Sequence, residues 1–177
     1  MKWICEISAS DSQSAFQSLY LHYFDRLMRF ASLYVISYSE AEEIVSDTFL
    51  AIWNGRKGLL GVNNFEAYIY SVTRYKIISY LRSQSRRNVS LDDLQIDIFA
   101  STETTPEDEL ITQEEVSLLN DAINSLPHKC KIAFKMVRED KMKYKDVAEI
   151  LEISVKTLEA HLATATRKLR EKLGGKL

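Results

Sequence analysis

Glycine, proline and cysteine are all scarce in this sequence, and each scarcity excludes a class of structure. The 177 residues include five glycines and two prolines, too few for the many tight turns of an all-β sandwich or barrel. The two cysteines, Cys5 and Cys130, lie far apart without metal-ligand spacing. We expect both to be small buried side chains rather than a disulfide, which fits a reducing cytoplasm. Long unbroken helices are the remaining expectation.

Long apolar runs are absent as well. No segment approaches the ~20 apolar residues that a transmembrane helix needs, and the first residues lack the basic-then-apolar pattern of a signal peptide. We therefore expect no direct insertion into a membrane. The apolar share of 46% is ordinary for a globular protein, which argues against wholesale disorder.

Charge is distributed very unevenly along the chain. Nine acidic residues and no lysine or arginine lie between Asp92 and Glu115. Subtracting their nine negative charges from the formal net charge of −2 leaves +7 for the rest of the chain. The stretch is either a solvated linker or an acidic tether that occupies a basic channel before nucleic acid does. Both interpretations divide the chain in two.

Apolar residues recur at three- and four-residue steps through the first half, which predicts three helices. The first spans residues 11–36. A capping box of Ser39 and Glu42 is expected to start the second, which ends near residue 53. A loop with three glycines leads to Asn64, which we expect to cap a third helix reaching about residue 83.

The third helix combines aromatic rings with cations. Tyrosines at positions 68, 70, 75 and 80 alternate with Arg74, Lys76 and Arg82. Single-stranded DNA is bound by such mixtures, because bases stack on rings while cations follow the phosphates. The alternative is that the tyrosines are ordinary core or boundary residues.

Helix-capping and helix-breaking residues in the second half predict four further helices. Thr105, Pro106 and Asp108 supply an N-cap, a first-turn proline and a capping acid, and the helix that they start is broken by Pro127. Short helices follow over residues 129–138 and 144–151. The last helix is expected over residues 155–173, before two glycines.

The last two of these helices have the spacing of a helix-turn-helix. Small or apolar residues stand where the two helices must pack, and Ala148 leaves room for their close approach. Glu152 occupies a turn position that favours left-handed backbone, at a cost of ~1 kcal/mol. The polar face of the last helix offers few cations, but glutamate can accept from cytosine N4, and alanine or threonine methyls can contact thymine. We expect base reading with low intrinsic affinity; the alternative is a plain helical hairpin.

Four stretches together resemble one family. "AEEIVSDTFLAIW", "NFEAYIYSVTRYKIISYLR", "AINSLPHKCKIAFKM" and "YKDVAEILEISVKTLEAHLATATRKLREKL" are similar, in this order, to the extracytoplasmic-function sigma factors of the sigma-70 family. The resemblance implies an all-α fold of two small domains, one of three to four helices that melts promoters and one with a C-terminal helix-turn-helix. Their implied bounds are 1–87 and 113–177, with an acidic linker over 88–112.

The resemblance also implies a function and its residues. A sigma factor binds core RNA polymerase and supplies promoter specificity, and family members are commonly held by an anti-sigma protein, often membrane-anchored. The implied polymerase contacts are Glu43, Ser46 and Asp47. The implied minus-ten contacts are Asn63, Asn64, Phe65, Tyr68, Arg74, Tyr75, Lys76, Tyr80 and Arg82. The implied minus-thirty-five contacts are Lys156, Thr157, Glu159, Ala160, Ala163, Thr164 and Arg167.

Other classes of protein explain less of the chain. A stand-alone helix-turn-helix regulator, binding duplex DNA without polymerase, leaves the first half without a purpose. A structural adaptor is left open, since an acidic helix and a basic domain can each bind protein, and it would be distinguished by ignoring promoter DNA even with polymerase present. No histidine follows a carboxylate by three residues as a di-iron bundle requires. There is no phosphate-binding glycine loop and no nucleophile elbow. The sequence therefore predicts no enzyme, no metal and no cofactor.

Overall fold

The computed structural model describes residues 2–87 and 113–174, and these residues are helical without any strand. They fall into two compact units, one on each side of the gap. The first unit contains α1 (Lys2–Ser10), α2 (Gln13–Ala31), α3 (Tyr38–Asn54), a 3₁₀ helix (Arg56–Gly61) and α4 (Phe65–Arg87). The second contains α5 (Gln113–Asn124), α6 (His128–Arg138), α7 (Tyr144–Leu151) and α8 (Val155–Lys172). The predicted all-α class is confirmed.

Three long helices form the core of the first unit. α3 packs against both α2 and α4, and α2 also contacts α4. Each helix contributes one apolar stripe, as the three- and four-residue spacing predicted. The fully or almost fully buried side chains include Leu19, Leu27, Phe30, Ile44, Val45, Phe49, Ile69, Tyr70 and Ile77.

The sequence pattern did not predict α1 or the 3₁₀ helix, which pack against each other. The Ser8 hydroxyl donates to the Lys57 carbonyl at 3.3 Å, and Lys57 Nζ donates back to the Ser8 carbonyl at 3.4 Å. Arg56 Nε lies 2.7 Å from Asp11 Oδ1. Elements this short carry little periodicity, so their stability comes from these tertiary contacts rather than from a local pattern.

The predicted start of α3 is wrong by two residues. The capping box is formed by Ser37 and Glu40 rather than by Ser39 and Glu42. Ser37 Oγ accepts from the Glu40 N–H at 3.2 Å, and Glu40 Oε2 accepts from the Ser37 N–H at 3.1 Å. Ser37 has extended backbone, as an N-cap requires, whereas Ser39 already lies inside the helix.

The second unit confirms the helix-turn-helix geometry. Helix α5 ends before Pro127, and α7 and α8 are joined by a turn in which Glu152 is left-handed, with φ of 55°. The Ile153 N–H donates to the Ala148 carbonyl at 3.0 Å, which closes the turn. Ala148, Leu158 and Leu162 are buried between the helices, as predicted.

Two sequence predictions have other outcomes. The acidic stretch over 88–112, with the helix start expected at Thr105, Pro106 and Asp108, lies outside the described residues. Both cysteines are free thiols, but only Cys130 is buried. Cys5 is exposed, because it lies on the outer face of α1, a helix that the sequence pattern did not predict.

The position of the capping box leads to a stability prediction. We expect Ser37→Ala to lower the free energy of unfolding by about 1 kcal/mol, since the Glu40 N–H loses its side-chain acceptor. Ser39→Ala is the matched control and should change it by less than about 0.5 kcal/mol. Both tryptophans, Trp3 and Trp53, belong to the first unit, so their fluorescence during urea unfolding reports this unit. Equal losses in the two variants would contradict the assignment.

Candidate partner and nucleic-acid interfaces

Helix α3 presents an acidic face to solvent. Glu43, Ser46 and Asp47 are all exposed, while Ile44 and Phe49 on the other side of the helix are buried. Residues separated by three and four positions share a helix face, so the three side chains lie together as predicted. The arrangement suits a partner surface that carries positive charge.

An apolar groove lies beside this acidic face. Its volume is 430 Å³, and its lining combines α2 with α3: Gln13, Phe16, Tyr20, Ser46, Phe49, Leu50 and Trp53. The Phe16 and Trp53 rings are 4.9 Å apart, and those of Tyr20 and Phe49 are 4.5 Å apart. Leu50 remains 57% exposed at the edge. Sequence reasoning missed the groove, although Leu50, an apolar residue outside the buried stripe of α3, was a signal for it.

The residues before α4 form a capped turn. Asn63 and Asn64 are exposed, and Asn64 Oδ1 accepts from the Ala67 N–H at 3.1 Å, which confirms the predicted cap. Phe65 is only 7% exposed and meets the Tyr23 ring at 5.8 Å. Because its ring belongs to the core, Phe65 is placed to support this turn rather than to stack against a ligand.

A partly buried ion pair fixes the beginning of α4 against α2. Arg26 Nη2 lies 2.6 Å from Glu66 Oε1, and the Arg26 guanidinium also lies over the Tyr23 and Tyr70 rings at 5.7 Å each. Glu66 is in the first turn of α4, two residues after Asn64. The turn that carries Asn63 and Asn64 is therefore held in place by tertiary contacts.

The predicted DNA residues on α4 do not share one environment. Tyr75 is 68% exposed, Arg82 is exposed, and Tyr68 is at the edge of exposure. Arg74 is half-buried near Tyr34, whose pKa is raised by burial and lowered in part by the Arg74 charge. Tyr75 and Arg82 are thus presented outward, whereas Arg74 lies partly within the fold.

Two other predicted DNA residues contact α3. Lys76 Nζ lies 3.3 Å from Asp47 Oδ2, and the Tyr80 hydroxyl donates to Glu40 Oε1 at 2.9 Å. Burial raises the pKa of Tyr80, and its bond to Glu40 raises it further. The sequence placed Asp47 and Lys76 in different sites, but the structure brings them into one ion pair.

In the second unit, the predicted residues of α8 lie along one unburied face. Lys156, Thr157, Glu159, Ala160, Ala163 and Arg167 are exposed, and Thr164 is half-buried. The opposite face, with Leu158, Leu162 and Leu169, is buried. Ser154 caps the helix by accepting from the Thr157 N–H at 3.0 Å, and its hydroxyl lies 2.8 Å from the Thr157 hydroxyl. Arg167 pairs with Glu171 at 3.0 Å.

Cations flank this face, and one histidine points away from it. Lys141, Lys143 and Lys145 precede or begin α7, and all three are exposed.

His161 Nδ1 lies 3.8 Å from the buried Cys130 Sγ on α6. Burial raises the pKa of the Cys130 thiol, and the Lys168 charge partly opposes this effect. His161 therefore contributes to packing between α6 and α8.

Comparison with known families identifies both units. The model described as sigma-70 region 2 matches residues 19–87, and the model described as sigma-70, region 4 matches residues 117–169. The chain belongs to the sigma-70 family. Because it carries both regions in order, the sigma factor has the two parts that family members use to recognise promoters.

Curated relatives place it in the extracytoplasmic-function group. The ECF RNA polymerase sigma-E factor of Haemophilus influenzae is 24% identical over 168 residues, covering 91% of this chain and 88% of that protein. The ECF RNA polymerase sigma-E factor of Escherichia coli K12 is 23% identical, with 91% and 87% coverage.

Solved structures share the fold. The sigma factor RpoE in complex with the anti-sigma factor NepR, from Bartonella quintana, has a TM-score of 0.69 at 20% identity, covering 92% of this chain and 98% of that one. CnrH in complex with the cytosolic domain of CnrY has a TM-score of 0.61 at 19% identity, with 98% and 97% coverage.

The sigma factor directs promoter recognition in transcription initiation. A stand-alone regulator is not favoured, because it leaves the first half of the chain unexplained, whereas residues 19–87 match sigma-70 region 2. Sigma factors act by binding rather than by catalysis. In the part of the chain that the structure describes, no helix is both long and apolar enough to cross a bilayer.

The assignment of one exposed and one buried face to α3 can be tested by substitutions at two nearby positions. Asp47 is 56% exposed, so Asp47→Asn should cost less than about 1 kcal/mol of unfolding free energy although it removes the ion pair with Lys76. Phe49→Ala, two residues away on the buried face, should cost about 3–5 kcal/mol. Tryptophan fluorescence in urea measures both. A large loss from Asp47→Asn would show that Asp47 is a structural residue.

Proposed function

We propose that the acidic face of α3 binds core RNA polymerase, that α4 and the turn before it bind the minus-ten element, and that α8 reads the minus-thirty-five element. The domains are then residues 1–87 and 113–177, with 88–112 as the linker between them. The observation that carries the proposal is the exposed face of Glu43, Ser46 and Asp47 beside an apolar groove. A fold needs no such surface for its own stability.

The groove and the acids together define the partner surface. An apolar groove of this kind accepts an amphipathic helix, whose apolar side chain enters while its polar residues meet the rim. Leu50 and the Phe16 and Trp53 rings supply apolar area, and Glu43 and Asp47 supply charge. The complementary partner is a helical polymerase surface with lysine or arginine next to an apolar side chain.

The minus-ten site combines rings and cations. Tyr68 and Tyr75 can stack on unpaired bases, and Lys76 and Arg82 can approach phosphates. Asn63 and Asn64 offer amide groups to a base that leaves the stack, while Phe65 supports their turn from below. Flipping a base costs a few kcal/mol, so contacts to polymerase must offset part of this cost. Arg74 and Tyr80 complete the set at the side of the helix that faces the core.

The minus-thirty-five site reads the major groove with few charges. Glu159 can accept from cytosine N4, and Ala160, Ala163 and Thr164 can contact thymine methyl groups. Lys156 and Arg167 are placed to approach phosphates, which position the helix without reading sequence. Thr157 is held by Ser154 at the helix start. Because few phosphates are neutralised, affinity for duplex DNA without polymerase should be low and only weakly salt-dependent.

The structural neighbours support an anti-sigma protein as a further partner. One is described in complex with the anti-sigma factor NepR and the other with the cytosolic domain of CnrY. By analogy, we propose that an anti-sigma protein binds this chain and excludes polymerase. Because polymerase and the chromosome share the bacterial cytoplasm, the sigma factor acts there.

Reversing one charge tests the polymerase surface. Asp47→Lys should abolish co-elution with bacterial core RNA polymerase on size exclusion, because a cation would face a basic partner surface. Glu6→Lys makes the same charge change on α1, a helix that contributes no residue to the proposed surface, and should co-elute like the native protein. Circular dichroism should show native helix content for both variants. Normal co-elution of a folded Asp47→Lys variant would place the polymerase surface elsewhere.

Two substitutions on α8 separate reading from positioning. In the holoenzyme, Glu159→Ala should reduce discrimination at one base pair of the minus-thirty-five element by about 1–3 kcal/mol. Lys156→Ala should instead weaken binding to all sequences alike and reduce the salt slope by about one. Binding measured over single-base variants of the element distinguishes the two. If Glu159→Ala leaves every base preference unchanged, Glu159 does not read DNA.

A further inference from the structure

A row of polar contacts connects the proposed polymerase surface to the proposed DNA surface. We call it the α3–α4 seam and define it by Glu40 and Asp47 on α3 and by Lys76, Tyr80 and Gln84 on α4. Lys76 pairs with Asp47, Tyr80 donates to Glu40, and Gln84 Nε2 donates to the Tyr80 hydroxyl at 2.8 Å. Lys76, Tyr80 and Gln84 are four residues apart, so they lie on one side of α4. Glu40 and Asp47 are seven residues apart, so they share the side of α3 that faces it.

The two acids of the seam differ in how firmly they are held. Both oxygens of Glu40 are engaged, since Oε2 accepts from the Ser37 N–H and Oε1 accepts from Tyr80. Asp47 is 56% exposed and meets Lys76 at 3.3 Å, a long contact at the surface. A partner that approaches α3 can therefore reach Asp47 without breaking the helix cap.

Lys76 faces a competition between two anions. Its side chain is 29% exposed, so a phosphate can approach the ammonium from solvent. With Asp47 alongside, the ammonium charge is partly neutralised and the carboxylate repels the phosphate. When another cation neutralises Asp47, both obstacles to phosphate binding are weakened.

We propose that Asp47 is an intramolecular competitor of promoter DNA for Lys76, and that polymerase, by binding Asp47, makes Lys76 available to the DNA. The proposal rests on the assignment of Asp47 to polymerase and of Lys76 to the minus-ten region. It adds a coupling between these two sites that their separate roles do not require. By linkage, DNA bound at Lys76 must strengthen polymerase binding at Asp47 by the same factor.

A double-mutant cycle without polymerase tests the competition. The probe is a fluorescein-labelled single-stranded oligonucleotide at low salt, with anisotropy as the readout and the full chain as the protein. Asp47→Asn should tighten binding about two- to five-fold, the range expected from an exposed ion pair. Glu42→Gln removes the same charge elsewhere on α3, controls for net charge, and should give a smaller gain. In the Lys76→Gln background the gain from Asp47→Asn should fall to that of Glu42→Gln, because only the general effect of removing one negative charge then remains.

The outcomes separate the coupling from the site assignment. If Lys76→Gln does not weaken DNA binding even in the Asp47→Asn background, where no carboxylate masks Lys76, then Lys76 is not a DNA contact, and both the assignment and the coupling fail. If Lys76→Gln weakens binding but the gain from Asp47→Asn persists in full in that background, or if in the native background it equals the gain from Glu42→Gln, the coupling alone is overturned. Failure of Asp47→Lys to disturb polymerase binding would be detected separately by co-elution.

A second measurement uses the complex with polymerase. Lys76→Gln should reduce the affinity for promoter DNA by a larger factor in the holoenzyme than in the free protein, because only the holoenzyme has Asp47 engaged elsewhere. The same fluorescent strand, presented in a forked promoter duplex, allows both forms to be compared. Equal losses in the two forms would contradict the release of Lys76 by polymerase.

Discussion

The packing of α3 between α2 and α4 is the constraint on which the first unit depends. One stripe of α3, with Ile44, Val45, Phe49 and Ile52, is buried almost completely. This burial leaves the helix no rotational freedom, since a turn about its axis would expose apolar side chains and bury carboxylates. The directions of Glu43 and Asp47 are therefore determined by the apolar residues that pack on the other side of the helix.

In the second unit, too, buried apolar side chains fix the rotation of a helix and so determine which residues face solvent. Leu158, Leu162 and Leu169 fix the rotation of α8, and Ala160 and Ala163 are left facing outward. Ala148 permits the close approach of α7, and the left-handed turn at Glu152 sets the entry of α8. The two units thus present an acidic face and a nearly neutral face, each fixed by the core behind it. Such a division suits a protein that gains affinity from one partner and selectivity from another.

Much of this could be predicted from sequence, for reasons that differ between elements. Helices α2, α3, α4 and α8 are long enough for an apolar period to be evident. Asn64 marks the start of α4, and Pro127 marks the break between α5 and α6. The capping box was misplaced because the pairs Ser37–Glu40 and Ser39–Glu42 both satisfy the motif, and only the backbone at Ser37 distinguishes them. Helix α1 is short and held by the 3₁₀ helix, a tertiary contact that no local pattern contains.

The candidate sites show the same limit. Exposure of the α3 acids and of the α8 face follows from helical spacing, so the sequence could predict it. The groove beside Leu50 and the meeting of Asp47 with Lys76 depend on how separate helices pack, which spacing along one helix cannot give. Phe65 was grouped with the minus-ten contacts by the family resemblance, yet its ring lies in the core.

The double engagement of Glu40 has a consequence for how this chain can diverge. One carboxylate caps α3 through one oxygen and orients Tyr80 through the other, so Ser37, Glu40 and Tyr80 form a single unit spread over two helices. A relative with an apolar residue in place of Glu40 loses both contacts in one step. A relative with glutamine there keeps one acceptor oxygen, which can serve only one of the two donors. Substitutions at positions 37, 40 and 80 should therefore be correlated among relatives, even though positions 40 and 80 are distant in sequence.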